Sequence, residues 1–283
     1  MRRGDFAAAW QISDAILARR REAGRCWHLP RHEQWVWDGS PLVGRRVLVR
    51  CYHGLGDTLQ FARFLPQLAQ SARELTVWVQ PVLMPLLQRM SAPLNLLPLH
   101  DGDPQVEYDV DIEIMELAHA LHTTIETLPS EVPYFTVPAE PRRCSAFSVG
   151  VVAQAGDWDA RRSVPSQLMA RLAEIPGIRT YNLQLGCGVP GAEDISTPDV
   201  LTLAARMLGL DLVVTADTMT AHLAGALALP TWTLLVADAD WRWMSGRDDS
   251  PWYPTMRLFR QPSAGDWQSV MSRLSAAVAA AAG

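Results

Sequence analysis

The chain carries two successive runs in which short apolar segments alternate with helical patterns. The first run extends over residues 46–137 and the second over residues 147–283. Such alternation is typical of parallel sheets covered by helices. We therefore predict an α/β protein with two Rossmann-like, doubly wound parallel-sheet domains. Ligands of such sheets bind at the carboxyl ends of the strands, so a cleft between two facing domains is the expected active site.

The length of 283 residues exceeds that of a usual single domain. We predict an N-terminal helix and connecting segment at residues 1–40, a first domain at residues 41–140 and a second at residues 141–283. The proline-rich segment 129–143 is the predicted boundary region.

The N-terminal stretch GDFAAAW resembles one helix of a tetratricopeptide repeat. Phe6, Trp10, Ile12 and Ile16 lie near helical spacing, but no repeat of about 34 residues follows. This segment is therefore at most a remnant of such a repeat, and a plain amphipathic helix is the alternative.

Composition excludes several classes of function. The net charge of −5 gives no electrostatic reason to expect nucleic-acid binding. All 25 basic residues are arginines, so a Schiff-base lysine is impossible, and a phosphate site must use arginine, histidine or backbone N–H groups. The four cysteines form no CxxC pair, and no signal-peptide pattern or long apolar run is present. We expect a cytoplasmic protein with reduced thiols and no membrane span.

The stretch CYHGLGDTLQF, residues 51–61, follows the first predicted strand. Gly54 and Gly56 allow a sharp turn and a close approach to a ligand, and Asp57 is predicted to begin a helix. His53 and Gln60 flank this turn and are further candidates for the cleft. The structural alternative is an ordinary glycine turn with an Asp cap. The stretch matches neither the GxGxxG motif nor a P-loop, so we do not expect ordinary dinucleotide binding or P-loop nucleotide binding at this turn.

The stretch TADTMTAHLAGALALP, residues 215–230, shows the same arrangement: a predicted strand, a turn that contains an aspartate, and then a helix. Asp217 and Thr218 lie at the predicted turn, and His222 lies one helical turn further on. The free N–H groups of a helix N-terminus suit a diphosphate. Small residues such as Ala221 and Gly225 favour close packing of this helix against the sheet. The alternative is a capping role for Asp217 or Thr218 and a packed structural role for His222.

Taken together, GLGDTLQFARFLPQL, VVTADTMTAHLAGALALPTWTLL and DWRWMSGRDDSPWYPTMRLFRQ resemble the heptosyltransferase-like glycosyltransferases of family 9. More narrowly, they resemble the branch associated with tetratricopeptide repeats. The resemblance covers residues 30–275. It implies a GT-B fold, an acceptor bound mainly by the first domain, a nucleotide-sugar bound mainly by the second, and inversion without a metal.

The resemblance also implies roles for individual residues. Asp57 matches the position of the family's general base, which deprotonates the acceptor hydroxyl. Thr218 and His222 fall on the donor-phosphate motif, and Asp217 falls near the donor sugar. The family often has a lysine after the first strand of the second domain. This chain offers Arg161 or Arg162 there, and a solvated loop is the alternative.

Two further features concern aromatic residues and metals. The segment 238–254 concentrates tryptophans among charges; we expect most of them to pack, with Trp241 the candidate near the ligand. DVD at residues 109–111 and DAD at residues 238–240 match a three-residue metal pattern. Both are interpreted as structural, the first as a solvated strand face, so no metal and no cofactor are expected.

The resulting expectation is an inverting, metal-independent glycosyltransferase. It would use a nucleoside-diphosphate sugar and a protein or glycolipid acceptor. A non-catalytic GT-B-fold binding or scaffold protein and a nucleotide-sugar epimerase are the alternatives.

Overall fold

The computed structural model describes residues 1–24 and 26–283, which divide into two compact units. Apart from the first two residues, unit 1 comprises Arg3–Ser130 and unit 2 comprises Glu131–Gly283. Each unit contains its own parallel sheet.

Unit 1 contains a sheet of four parallel strands in the order β3-β2-β1-β4. Its helices and strands, in chain order, are α1 Phe6–Ala23, β1 Arg46–Arg50, α2 Leu55–Phe61, α3 Leu65–Ser71, β2 Glu74–Val79, α4 Met84–Leu87, β3 Asn95–Pro98, β4 Val110–Glu113 and α5 Leu117–Ala120. Short 3-10 helices lie at Arg31–Glu33, Ala62–Phe64, Pro81–Leu83 and Ile114–Glu116.

Unit 2 contains a sheet of six parallel strands in the order β10-β9-β8-β5-β6-β7. Its elements are β5 Phe147–Val152, α6 Ser166–Met169, β6 Ile178–Asn182, β7 Glu193–Asp194, α7 Val200–Met207, β8 Leu212–Ala216, α8 Met219–Ala226, β9 Thr231–Leu235, β10 Met256–Arg260 and α9 Trp267–Ala282. Short 3-10 helices lie at Asp157–Arg162, Ala170–Glu174 and Trp241–Trp243.

The central strands are buried on both faces. In β1, the consecutive residues Val47, Leu48 and Val49 are all buried, although their side chains point to opposite faces of the sheet. In unit 2, Val151 and Val214 from neighbouring strands pack in one apolar cluster with residues of α9. Sheets covered on both sides are the arrangement expected for parallel strands. The prediction of two doubly wound α/β sheets is confirmed.

The strand order reverses at one point in each sheet. β1 lies between β2 and β4, and β5 lies between β6 and β8. At such switch points the connections leave in opposite directions and open a crevice at the carboxyl ends of the strands. The turn into α2 follows β1, and the turn into α8 follows β8.

Several local expectations are wrong. The helix predicted to begin at Asp57 begins at Leu55. Ile12 and Ile16 are exposed on α1, so its buried face is narrower than the sequence pattern indicates. Asp111 and Glu113 are only 3% and 2% exposed, because β4 pairs with β1 inside unit 1 rather than presenting a solvated face.

Two further observations concern membrane-spanning helices and disulfide bonds. Within residues 1–24 and 26–283, each helix is either too short or too polar to cross a bilayer. All four cysteines are free thiols.

Candidate functional site

The first candidate turn fixes the carboxylate of Asp57 against the backbone that enters α2. Gly54 is the N-cap of this helix and Asp57 is its third residue. The Gly54 N–H donates to Asp57 Oδ2 at 3.0 Å, which satisfies one of the free donors of the first turn. A Cβ atom at position 54 would lie 3.2 Å from the same oxygen, so glycine permits the close approach. Asp57 is therefore held, partly exposed, at the carboxyl end of β1.

A buried glutamate that the sequence interpretation missed organises this turn. Glu113 ends β4, the neighbour of β1, and its Oε1 lies 3.0 Å from His53 Nδ1. Its other oxygen accepts the Met115 N–H at 2.7 Å. The one signal of this role in the sequence is that Glu113 lies near the end of a predicted strand, where parallel sheets place their site residues. His53 is thus positioned by an acid from the strand across the switch point of unit 1.

The other two residues predicted for this turn differ in their settings. Gly56 lies inside α2, between Leu55 and Asp57. Gln60 also lies in α2 and is fully buried, and neither atom of its amide has a hydrogen-bond partner among the described residues. Gln60 is therefore an interior residue of unit 1 rather than part of an exposed loop.

Unit 1 also contains a cavity of about 520 Å³ that the sequence did not predict. The guanidinium of Arg31 lies 5.4 Å from the ring centre of Tyr52 and 5.1 Å from that of Trp78. Arg50, also in the lining, forms an ion pair with the buried Asp111 at 2.9 Å. Aromatic faces and guanidinium groups together suit a ligand with sugar-like rings or carboxylates.

The second candidate turn lies between β8 and α8. Thr218 is the N-cap of α8, and its Oγ1 accepts the Thr220 N–H at 3.2 Å. Asp217, immediately before it, is 8% exposed. Burial away from water raises the pKa of the Asp217 carboxyl, and the nearby charge of Arg162 opposes that rise. The N-terminus of α8 therefore has a buried acid and a hydroxyl at its entrance.

The structure separates the two candidate arginines. Arg162 Nη1 donates to the backbone oxygen of Asp217 at 2.8 Å and lies 3.7 Å from its carboxylate. Arg161 instead pairs with Asp159, two residues away, and its side chain is 76% exposed. Since the loop after β5 and the turn after β8 meet at the switch point of unit 2, Arg162 is the arginine that belongs to this turn.

His222 lies in a packed environment. It is 3% exposed, its ring stacks on Trp243 with centres 5.4 Å apart, and its Nδ1 lies 3.0 Å from the Tyr253 hydroxyl. A Cβ atom at Gly225 would lie 2.4 Å from the Tyr253 ring, so glycine allows the ring to lie against α8. His222 therefore has the packed structural environment that the alternative interpretation of this turn describes.

The tryptophan-rich segment packs as expected. Trp243, Trp252 and Tyr253 are fully buried, and partly buried Trp241 meets the Trp252 ring edge to face, with centres 5.9 Å apart. In this segment, Asp240 Oδ1 accepts the Arg242 N–H at 3.0 Å and begins a short 3-10 helix.

The DVD segment of unit 1 is engaged in ion pairs. Asp109 Oδ1 lies 2.8 Å from Arg46 Nη2, and Asp111 pairs with Arg50. Both ion pairs join the 109–111 segment to β1, the strand that pairs with β4.

Comparison with known proteins identifies the fold of the chain. No protein-family model matches the chain. Among curated proteins, the chain is similar to protein FlbA of Caulobacter vibrioides, with 25% identity over 288 residues. The alignment covers 86% of this chain and 48% of FlbA, so the chain spans about half the length of this relative.

Solved structures of heptosyltransferases resemble the chain along most of its length. ADP-heptose lipopolysaccharide heptosyltransferase II of E. coli matches with a TM-score of 0.58 at 14% identity, covering 82% of this chain and 98% of that one. E. coli heptosyltransferase WaaC, solved with ADP-2-deoxy-2-fluoro heptose, gives 0.55 at 15% identity, covering 84% and 100%. The dodecameric iron-containing glycosyltransferase TibC of enterotoxigenic E. coli gives 0.57 at 16% identity, covering 82% and 67%. The chain therefore has the GT-B-like α/β fold of the heptosyltransferases, as the sequence resemblance predicts.

Proposed function

We propose that the protein is an inverting glycosyltransferase that moves a sugar from a nucleoside-diphosphate sugar to an acceptor hydroxyl. One observation carries the proposal. In each unit, a strand at the switch point leads into a helix with an aspartate at its start: Asp57 lies in the first turn of α2, and Asp217 directly precedes Thr218, the N-cap of α8. These are the places where sheets of this type bind ligands.

Asp57 would act as the general base. In the reaction, the acceptor hydroxyl oxygen forms a bond to the anomeric carbon, and the hydroxyl proton passes to the Asp57 carboxylate. The nucleoside diphosphate leaves with the electrons of the broken C–O bond, and attack opposite the leaving group inverts the anomeric centre. A positioned base contributes roughly 10²- to 10⁴-fold to such a rate. The Gly54 N–H supports this role, because it holds one carboxylate oxygen in place.

The donor diphosphate would bind at the start of α8. The Met219 N–H and the hydroxyl of Thr218 would supply donors at this helix start without a metal. The next two N–H groups, of Thr220 and Ala221, already donate to Thr218. Arg162 supplies positive charge beside them, and its Nε–H has no hydrogen-bond partner among the described residues. In this proposal His222 contributes a ring nitrogen to the same phosphate site.

The comparisons suggest the donor class. One TibC structure is described as a complex with ADP-D-β-D-heptose, and WaaC was solved with an ADP-heptose analogue. We propose an ADP-linked heptose or a related nucleotide-sugar as donor. A protein or glycolipid is the proposed acceptor, and the cavity beside Arg31 and Trp78 is its candidate binding site. Catalysis in the cytoplasm and without a metal belongs to the same proposal.

The deciding experiment is a panel of nucleotide-sugars incubated with the protein and analysed by mass spectrometry. We expect one donor to release its nucleoside diphosphate, by slow hydrolysis or by transfer, with EDTA present or absent. Conversion of the donor to an isomer would instead favour the epimerase. Tight donor binding without release of the diphosphate would favour the binding or scaffold protein. Loss of activity in EDTA that Mg²⁺ restores would contradict metal independence.

A further inference from the structure

A cluster of two histidines and one aspartate lies in unit 1, on residues that the proposed transfer reaction does not use. His119 Nε2 lies 2.8 Å from Asp14 Oδ1, and His122 Nε2 lies 3.2 Å from Asp14 Oδ2. The ligand atoms of all three residues lie within 4.8 Å of one another. Asp14 comes from α1, whereas the histidines lie at the end of α5 and just after it. We propose that the Asp14–His119–His122 cluster binds a divalent transition-metal ion such as Zn²⁺.

The distances fit such an ion with small adjustments. Zinc bonds to histidine nitrogen and carboxylate oxygen are about 2.0–2.2 Å long, so neighbouring ligand atoms of a tetrahedral site lie roughly 3.4 Å apart. The observed separations of 2.8 and 3.2 Å are slightly shorter. Widening these two separations by about 0.6 and 0.2 Å makes room for an ion. The ligand atoms of all three residues already lie within 4.8 Å of one another, and solvent can supply a fourth ligand.

The chemistry of the ligands selects the class of metal. Imidazole suits zinc, copper, iron and nickel, whereas Mg²⁺ and Ca²⁺ prefer oxygen ligands. With two imidazoles and one carboxylate, the cluster is expected to discriminate strongly against Mg²⁺. It is also separate in sequence from the DVD and DAD segments.

The surroundings hold the first histidine in place. The His119 ring stacks on Trp10 with centres 5.4 Å apart, and Trp37 meets it edge to face at 5.6 Å. The Trp10 indole N–H donates to the Thr123 backbone oxygen at 2.6 Å, which ties α1 to the segment after α5. One ligand is therefore oriented before any ion arrives, as metal sites require.

The second histidine has an unusual backbone. His122 has a φ of 45°, in the left-handed region that side chains other than glycine seldom adopt. In this conformation its Nε2 lies 3.2 Å from the same carboxylate that His119 contacts. A bound ion would join α1 to the end of α5, so its expected effect is on the stability of unit 1.

The test uses the 283-residue chain after removal of any histidine tag. Titration with Co²⁺, followed by visible absorption and by metal analysis after dialysis, should give about one bound ion per chain, displaced by Zn²⁺ and not by Mg²⁺. His122→Gly removes a ligand and suits the positive φ, while Asp14→Asn removes the charge and keeps the shape. Each should weaken Co²⁺ binding by at least about tenfold.

His32→Ala is the matched control. It removes another exposed histidine beside a carboxylate, Glu33 at 3.6 Å, and should leave metal binding unchanged. Zn²⁺ should also raise the melting temperature of the wild type and not that of His122→Gly, with circular dichroism confirming that both are folded. Less than stoichiometric Co²⁺, or equal binding by the wild type and both cluster variants, would overturn the proposal. The three residues would then form only hydrogen-bonded Asp–His pairs.

Discussion

Arg162 and Asp217 form a buried contact in which one guanidinium nitrogen reaches both the backbone oxygen and the carboxylate of the aspartate. The distances are 2.8 Å and 3.7 Å. Their side chains are only 13% and 11% exposed, so the pair is shielded from the solvent screening that weakens surface ion pairs. The contact links the loop after β5 to the turn before α8, and it places positive charge beside the proposed diphosphate site.

The first prediction separates Arg162 from its neighbour. Arg162→Ala should weaken nucleoside-diphosphate binding roughly ten- to hundredfold, the amount typical of a lost charge-assisted hydrogen bond. It should also lower the melting temperature, because the Asp217 carboxylate stays buried without its cation. Arg161→Ala is the control, since the exposed Arg161 side chain pairs with Asp159 and not with Asp217. Calorimetric titration of both variants checks this; equal losses of affinity would remove the special role of Arg162.

The second prediction concerns the proposed base. Asp57→Asn keeps an oxygen to accept the Gly54 N–H, so α2 should still begin normally. Transfer should fall by roughly 10²- to 10⁴-fold, because an amide cannot take the acceptor proton. Donor affinity, measured by titration, should stay near that of the wild type. A variant with full transfer activity would rule out Asp57 as the base.

The third prediction tests the two roles considered for His222. His222→Ala removes the ring that stacks on Trp243 and bonds to Tyr253, so the melting temperature should fall. If the ring also binds the diphosphate, affinity should fall by about 1.5–3 kcal/mol. Tyr253→Phe is the matched variant, because it removes the hydroxyl and leaves the histidine. A loss of stability in His222→Ala with unchanged affinity would show that packing is its whole role.

The fourth prediction is a pH dependence of stability. Burial away from water raises the pKa of Glu116 from 4.5 to about 7, although its carboxylate accepts the Trp37 and Glu113 N–H groups. The folded protein then binds more protons than the unfolded chain between these values. The free energy of unfolding should therefore fall as the pH rises through this window.

Glu116→Gln keeps the accepting oxygen and cannot ionise, so it should flatten that dependence. At a pH above about 8 the variant should be more stable than the wild type, by on the order of 3 kcal/mol. Melting curves across this range provide the measurement, with Glu33→Gln as a surface control. A slope that stays the same in Glu116→Gln would show that another group titrates.

The fold could be predicted because parallel strands buried on both faces leave an unambiguous pattern. Segments such as residues 147–152 and 212–216 are almost wholly apolar, and a helix pattern follows each. β3 and β7 were not predicted; β7 has only two residues, too few to form a pattern. The start of α2 was misplaced because Gly54, which lacks a side chain, is its N-cap.

The contacts of the candidate site depend on which strands are neighbours, and periodicity does not carry that information. Alternating acids in β4 indicated a polar face, yet Asp111 and Glu113 are buried beside Arg50 and His53 of the β1 segment. Likewise, adjacent arginines in one short loop look equivalent in sequence. Only the meeting of that loop with the β8 turn distinguishes Arg162 from Arg161.

The contact between Gly225 and the Tyr253 ring limits which residues α8 can carry at position 225. Any side chain at position 225 would have to displace the ring, since even a methyl carbon would lie 2.4 Å from it. The displaced ring would carry its hydroxyl away from His222, 3.0 Å distant. In a library randomised at position 225, glycine should therefore dominate the folded clones. Any surviving replacement should be accompanied by a smaller residue at position 253.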